Sequence, residues 1–151
     1  MAPDTFNDIL DFAVAREEDA VKFYQVLQGM AKFEAQKQVL HEFELMEQGH
    51  IQILNNVRKR GEVEPEEIPG VADLKIAEYL AEGEMTDDLS YQDIIILAMK
   101  REEKAHNLYT HLAERAAAEE IKNLFLKLAS EEAKHKLHFE KTYDDEVLKE
   151  N

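Results

Sequence analysis

The sequence predicts an all-α protein: a four-helix bundle made of two duplicated antiparallel helix hairpins with a long crossover between them. Three observations carry this. Apolar residues recur at three- and four-residue steps through four long stretches. Helix breakers are scarce, with only five Gly and three Pro in 151 residues. The chain also repeats itself: Arg16-Glu17-Glu18 recurs as Arg101-Glu102-Glu103, Tyr24 as Tyr109, and Glu47-Gln48-Gly49-His50 as Glu132-Ala133-Lys134-His135, all at an offset of 85 (101 − 16, 109 − 24, 132 − 47).

The first helix is expected to begin at Thr5, whose hydroxyl is placed to cap it, with Asp8 in the first turn. Its inner stripe reads Phe6, Ile9, Leu10, Ala13, Ala20, Phe23, Tyr24 and Leu27. Glu17 lies on that stripe, since Ala13, Glu17, Ala20 and Tyr24 are spaced by four, three and four. A turn near Gly29 leads to a second helix from Glu34 to Arg60, stopped by Gly61 and Pro65. Its inner face includes Val39, Leu40, Phe43, Met46, Glu47, His50, Ile53, Leu54 and Val57. Residues 61–89 form the crossover, acidic and turn-rich at first and then carrying one short helical pattern over Ala72–Ala81. Ser90-Tyr91-Gln92-Asp93 restates the first helix start, a third helix runs to Arg115, and a fourth from Ala118 to Val147.

One domain of this length, residues 1–151, is therefore divided into a hairpin over 5–60, a crossover over 61–89 and a hairpin over 90–147. Each hairpin has a connection of a few residues, so its helices are antiparallel neighbours. The crossover is long enough to run the length of a bundle, which selects a ferritin-like topology over a simple up-down-up-down one.

The net charge of −15 argues against nucleic acid and anionic membranes as partners. No cysteine is present, which excludes disulfides, thiolate metal sites, iron–sulfur clusters and a cysteine nucleophile within the chain. The apolar run from Ile94 to Met99 is too short to span a membrane, and the first residues lack the basic and apolar regions of a signal peptide. A cytoplasmic protein is the expectation.

The repeated carboxylates and histidines point to a metal site. Glu17 and Glu47 each lie 15 residues from Lys32 (32 − 17, 47 − 32), and Glu102 and Glu132 bracket Ala117 in the same way. At 1.5 Å per residue each stands about 22 Å from its turn, so all four share one level of the bundle. Four buried carboxylates repel one another and lose hydration; two divalent cations would neutralise them. With His50 and His135 the donor set is nitrogen and oxygen, suited to iron or manganese and less diagnostic of zinc. One Glu-x-x-His alone is weak, since with six His in 151 residues a given Glu has His three positions on in about 4% of cases. Two in register with matched Glu and Tyr are a different matter. Glu18, Glu44, Glu103 and Glu131 are expected to be surface residues beside the ligands, although Glu44, one turn before Glu47, could face an open coordination position. His41, His106, His111 and His138 have no symmetric partners and are expected in surface or satisfied roles.

Taken together, residues 16–24, Glu47 to His50, Arg101 to Tyr109 and Glu132 to His135 resemble the rubrerythrin family of the ferritin-like superfamily. The likeness covers nearly all of the chain except the crossover. It implies two iron ions, for which manganese or zinc are possible substitutes, held by Glu17, Glu47, His50, Glu102, Glu132 and His135. Glu47 and Glu132 would bridge or face both ions, Glu17 and Glu102 would be terminal, and Tyr24 and Tyr109 would hydrogen-bond ligand carboxylates. It further implies reduction of peroxide or O₂, an external electron-donor protein and a homodimer. Two features depart from the family's pattern: the four-cysteine rubredoxin domain found in many members has no counterpart here, and Ala105 stands where the peroxidase type often carries an additional Glu. Ferroxidase activity in iron handling, and a non-catalytic metal-binding scaffold, are the alternative functions.

Overall fold

The computed structural model describes residues 6–60, 90–116 and 118–146. Four helices fill them: α1 (Phe6–Met30), α2 (Glu34–Arg60), α3 (Tyr91–Arg115) and α4 (Glu119–Glu146). The expected Thr5 cap, the expected crossover over 61–89 with a short helix over Ala72–Ala81, and the chain end from Val147 lie outside the described residues.

Local chemistry sets the ends that can be seen. Ser90 caps α3 with a reciprocal pair of bonds: its hydroxyl accepts from the Asp93 N–H at 3.1 Å, and the Asp93 carboxylate accepts from the Ser90 N–H at 3.4 Å. The first hairpin turns at residues 31–33, where the Ala31 N–H still donates to the Leu27 carbonyl at 2.9 Å. In the second hairpin the Ala118 carbonyl accepts from the Lys122 N–H at 3.0 Å, so α4 starts one residue later than the expected Ala118.

The core falls into two apolar clusters. One gathers Ile9, Leu10 and Ala13 of α1, Leu54 and Val57 of α2, Leu108, Tyr109 and Leu112 of α3, and Ile121, Phe125 and Leu128 of α4. The other gathers Phe23, Tyr24 and Leu27 of α1, Leu40 of α2, Ile94, Ile95 and Ala98 of α3, and Phe139 of α4. The early part of α1 thus meets the late parts of α2 and α3 and the early part of α4. The helices therefore run up, down, down, up, with α2 parallel to α3, as a ferritin-like bundle with a long crossover requires. Fully buried side chains such as Leu27, Leu54, Leu112 and Phe125 each stabilise this arrangement by roughly 1.5–3 kcal/mol.

Gly49 sits in the interior of α2, where a glycine weakens a helix. A methyl group built on it would meet nothing within 4 Å, so close packing is not what keeps the position small. Gly49→Ala is expected to stabilise the protein by about 0.5–1 kcal/mol through helix propensity alone. Chemical denaturation measures this; a lower midpoint in the variant would refute it.

Candidate metal centre

Between the two apolar clusters lies a polar layer to which every helix contributes from near its middle. Glu17, Glu47, Glu102 and Glu132 are each at most 3% exposed, and His50 and His135 at most 2%. They are buried because each occupies the inward stripe of its helix, in register with the apolar residues above and below it.

The offset of 85 in sequence becomes an approximate two-fold axis in space. His50 Nδ1 lies 2.9 Å from Glu132 Oε1, and His135 Nδ1 lies 3.0 Å from Glu47 Oε1. The same pairing holds for His50 with Glu17 at 3.4 Å and His135 with Glu102 at 3.7 Å. Within each Glu-x-x-His unit the separation is 3.9 Å, for His50 with Glu47 and for His135 with Glu132. Two groups of potential ligands result, Glu17–Glu47–His50–Glu132 and Glu47–Glu102–Glu132–His135, each with its donor atoms within 4.8 Å of one another. Glu47 and Glu132 belong to both groups, and each turns one oxygen toward either histidine.

The tyrosines cross between hairpins. Tyr109 of α3 donates to Glu17 Oε1 of α1 at 2.7 Å, and Tyr24 of α1 donates to Glu102 Oε1 of α3. Burial raises both phenols well above their ordinary range, and the neighbouring carboxylate charges add to the effect, chiefly Glu102 for Tyr24 and Glu17 for Tyr109. Both therefore remain hydrogen-bond donors at neutral pH. Stacking fixes their rings, Tyr24 on Phe139 at 5.8 Å and Tyr109 on Phe125 at 6.2 Å.

Among the described residues eight buried side-chain polar atoms lack a hydrogen-bond partner. Six are one from each member of the cluster: Glu17 Oε2, Glu47 Oε1, Glu102 Oε2, Glu132 Oε1, His50 Nδ1 and His135 Nδ1. The 2.9 Å and 3.0 Å approaches of the histidines to Glu132 and Glu47 are close in distance but make no hydrogen bond. A buried polar atom left unpaired costs on the order of 1–3 kcal/mol, so six converging on one point mark a place built for a ligand that accepts lone pairs. Oxygen donors with one imidazole per group suit first-row divalent cations. The residues thus fit a pair of such ions.

Electrostatics agree. Burial pushes the Glu47 and Glu132 carboxyls well above the carboxylate range, and the charges of the other glutamates push them further. Burial also pushes Glu17 upward, but its contacts with Glu47 and His50, the His50 charge and the Tyr109 hydroxyl together hold it low. His50 is raised, its carboxylate neighbours Glu17 and Glu131 overcoming the opposite effect of burial.

A cavity of about 40 Å³ opens onto the cluster between α1 and α3. Ala20 and Ala105, a pair related by the repeat, leave it open, and Arg16, Arg101 and Lys104 rim it. The Nε atoms of Arg16 and Arg101 are the other two unpaired buried atoms.

Several neighbours differ from expectation. Glu18 and Glu103 are exposed as anticipated. Glu44 is buried rather than exposed and belongs to neither ligand group: it accepts from Gln28 at 2.8 Å and Gln25 at 2.9 Å, which hold its carboxyl below the usual range. Glu131 is not a bystander either, since its carboxylate meets His50 Nε2. Neither role has a signal in the spacing, because the decisive partners lie on other helices. His106 bonds the Ala129 carbonyl at 2.8 Å, and His138 packs edge-on against Phe43 at 5.1 Å.

Bundle and cluster together define a ferritin-like helical protein with a buried carboxylate–histidine centre. The chain belongs to the rubrerythrin family, whose model, described as Rubrerythrin, matches residues 8–90 and 93–151. No curated protein and no solved structure matches it. No helix among the described residues is long and apolar enough to cross a membrane.

The raised carboxyls give the metal-free protein a definite pH dependence. Because the folded values of Glu47 and Glu132 exceed the unfolded value of 4.5, their stabilisation is complete below it and is lost as pH rises through the folded values. His50 acts in the same sense above 6.5, whereas the lowered Glu17 loses its contribution only on acidification below 4.5. The denaturation midpoint of the metal-free protein is expected to fall between about pH 5 and about pH 8. Mn(II) should raise it more at the alkaline end, since binding releases the protons. A metal-free midpoint that rises over this interval would contradict the assignment.

Proposed function

We propose that the protein is a non-haem di-iron oxidoreductase that reduces hydrogen peroxide or O₂ with electrons from an external donor protein. The observation that carries this reading is the pair of ligand groups sharing Glu47 and Glu132. Glu17, Glu47, His50 and Glu132 would hold one ion, and Glu47, Glu102, Glu132 and His135 the other. Glu47 and Glu132, the two residues common to both groups, would serve both ions, and Glu17 and Glu102 one each.

When bound, two iron(II) ions would supply two reducing equivalents, which with two protons convert hydrogen peroxide to two waters or O₂ to hydrogen peroxide. The chain's own residues set the conditions for that chemistry. Tyr24 and Tyr109 each hold one oxygen of a terminal carboxylate, leaving Glu102 Oε2 and Glu17 Oε2 turned to the centre. The cavity beside Ala20 and Ala105 has room for water-sized molecules and excludes an organic substrate of any bulk. Its basic rim offsets the acidic surroundings of a chain with net charge −15. The 151 residues contain no cysteine, so a thiolate-bound electron carrier lies outside them. Manganese or zinc would occupy the same donor set as substitutes. A homodimer and a cytoplasmic location complete the proposal.

Two experiments test it. Glu47→Ala combined with Glu132→Ala is expected to abolish binding of two Mn(II) or Fe(II) per chain, measured by metal analysis after equilibrium dialysis. Retention of two metals would remove both bridging assignments. Stopped-flow mixing of the Fe(II)-loaded protein is expected to show oxidation at least about tenfold faster with H₂O₂ than with O₂, a barrier difference of about 1.4 kcal/mol. Oxidation by O₂ alone, with continued iron uptake, would instead establish a ferroxidase.

A further inference from the structure

We infer that the two halves of the centre are chemically unequal, and that Glu131 makes the His50 half the tighter metal site. The inference rests on the di-metal reading above and goes beyond it.

The near-perfect two-fold pairing of the ligands fails one step further out. Each histidine presents Nδ1 to the cluster and Nε2 away from it. His50 Nε2 meets the carboxylate of Glu131 on α4, whose side chain is 21% exposed. His135 Nε2 instead lies 3.4 Å from the sulfur of Met46 on α2. These two outer partners occupy equivalent positions of the repeat (131 − 46 = 85). The same position thus carries a full negative charge in one half and a thioether in the other.

The surroundings diverge in the same direction. The Phe43 ring stacks on His135 with centroids 4.0 Å apart, and Tyr24 meets it edge-on at 6.0 Å. The residue equivalent to Phe43 is Leu128 (128 − 43 = 85), which has no ring to offer His50. One imidazole is therefore sheathed in aromatic and sulfur atoms, and the other is tied to a partly solvated carboxylate.

Chemistry gives this difference a sign. A carboxylate is a strong acceptor for the outer N–H of a metal-binding imidazole, fixing Nδ1 as the bare lone pair and making it more electron-rich. A thioether accepts only weakly, so His135 is oriented by packing and gains little basicity. Glu131 also brings a further negative charge near the His50 half. Glu131 is thus a positioning residue: it reaches the metal only through His50. The first divalent cation is expected in the group Glu17–Glu47–His50–Glu132, and the second in the group containing His135.

The test is titration of metal-free protein with Mn(II), free ion being followed by electron paramagnetic resonance. Two binding steps are expected in the wild type. Repulsion between cations can separate the steps by itself, so the variants decide. Glu131→Gln, close in shape, should weaken the tighter step by about 10–100-fold and leave the weaker one unmoved. Glu131→Asp should recover part of that loss, and Met46→Leu should change neither step. His135→Ala should keep the tighter step and His50→Ala should lose it. The low-temperature spectrum of protein carrying one Mn(II) should change with Glu131→Gln and stay constant with Met46→Leu. Equal weakening of both steps by Glu131→Gln, no effect at all, or survival of the tighter step only in His50→Ala would overturn the inference while leaving a di-metal site in place. Failure of the wild type to bind two Mn(II) would instead overturn the di-metal reading on which it rests.

Discussion

Concentrating four glutamates and two histidines in the dry middle of a helical bundle is the constraint that the rest of this protein answers to. Carboxylates so close together cannot all be ionised without compensation, because each has lost its hydration and feels the others through a poorly screening interior. In the absence of cations the balance is struck by protons, with Glu47 and Glu132 pushed toward their neutral forms. Cations would replace those protons and satisfy the six inward atoms that have no other partner. Stability must come from elsewhere. It comes from the apolar clusters on either side of the polar layer, each of which packs residues of all four helices together.

Duplication explains how such a layer can be assembled from few residues. A hairpin with a short turn places its two mid-helix glutamates at one height, and a second copy facing the first brings the count to four. The copies are then locked by interactions neither could make alone. Tyr24 holds a carboxylate of the other hairpin, Tyr109 returns the bond, and each histidine lies closest to a glutamate from the opposite hairpin. The centre is a property of the pair of hairpins.

Symmetry holds approximately for the six ligands and for the two tyrosines that bond them, and it fails at several positions behind them. There, equivalent positions hold Glu131 and Met46, Leu128 and Phe43, and Ala129 and Glu44. The last pair shows how a buried charge is accommodated away from the centre: Gln25 and Gln28 donate to Glu44, whereas the equivalent Ala129 is packed in the core and needs no partner. Divergence of this kind leaves the first layer of donors alone and changes what stands behind them. It is the route by which a duplicated site acquires two different halves.

The sequence by itself determined the helical class, the span of α2, the cap at Ser90 and the repeat that brings Glu17, Glu47, His50, Glu102, Glu132 and His135 to one level. Those features depend on periodicity and on distance along the chain, and both are written in one dimension. The tertiary structure decided which tyrosine serves which glutamate, that Glu131 stands behind His50 while Met46 stands behind His135, that Glu44 is satisfied by two glutamines, and that nothing crowds Gly49. Each of these depends on how helices distant in sequence are rotated against one another and on the rotamers chosen at their contacts. No spacing rule within a single helix contains that information, because the energy that fixes it belongs to the packing between helices.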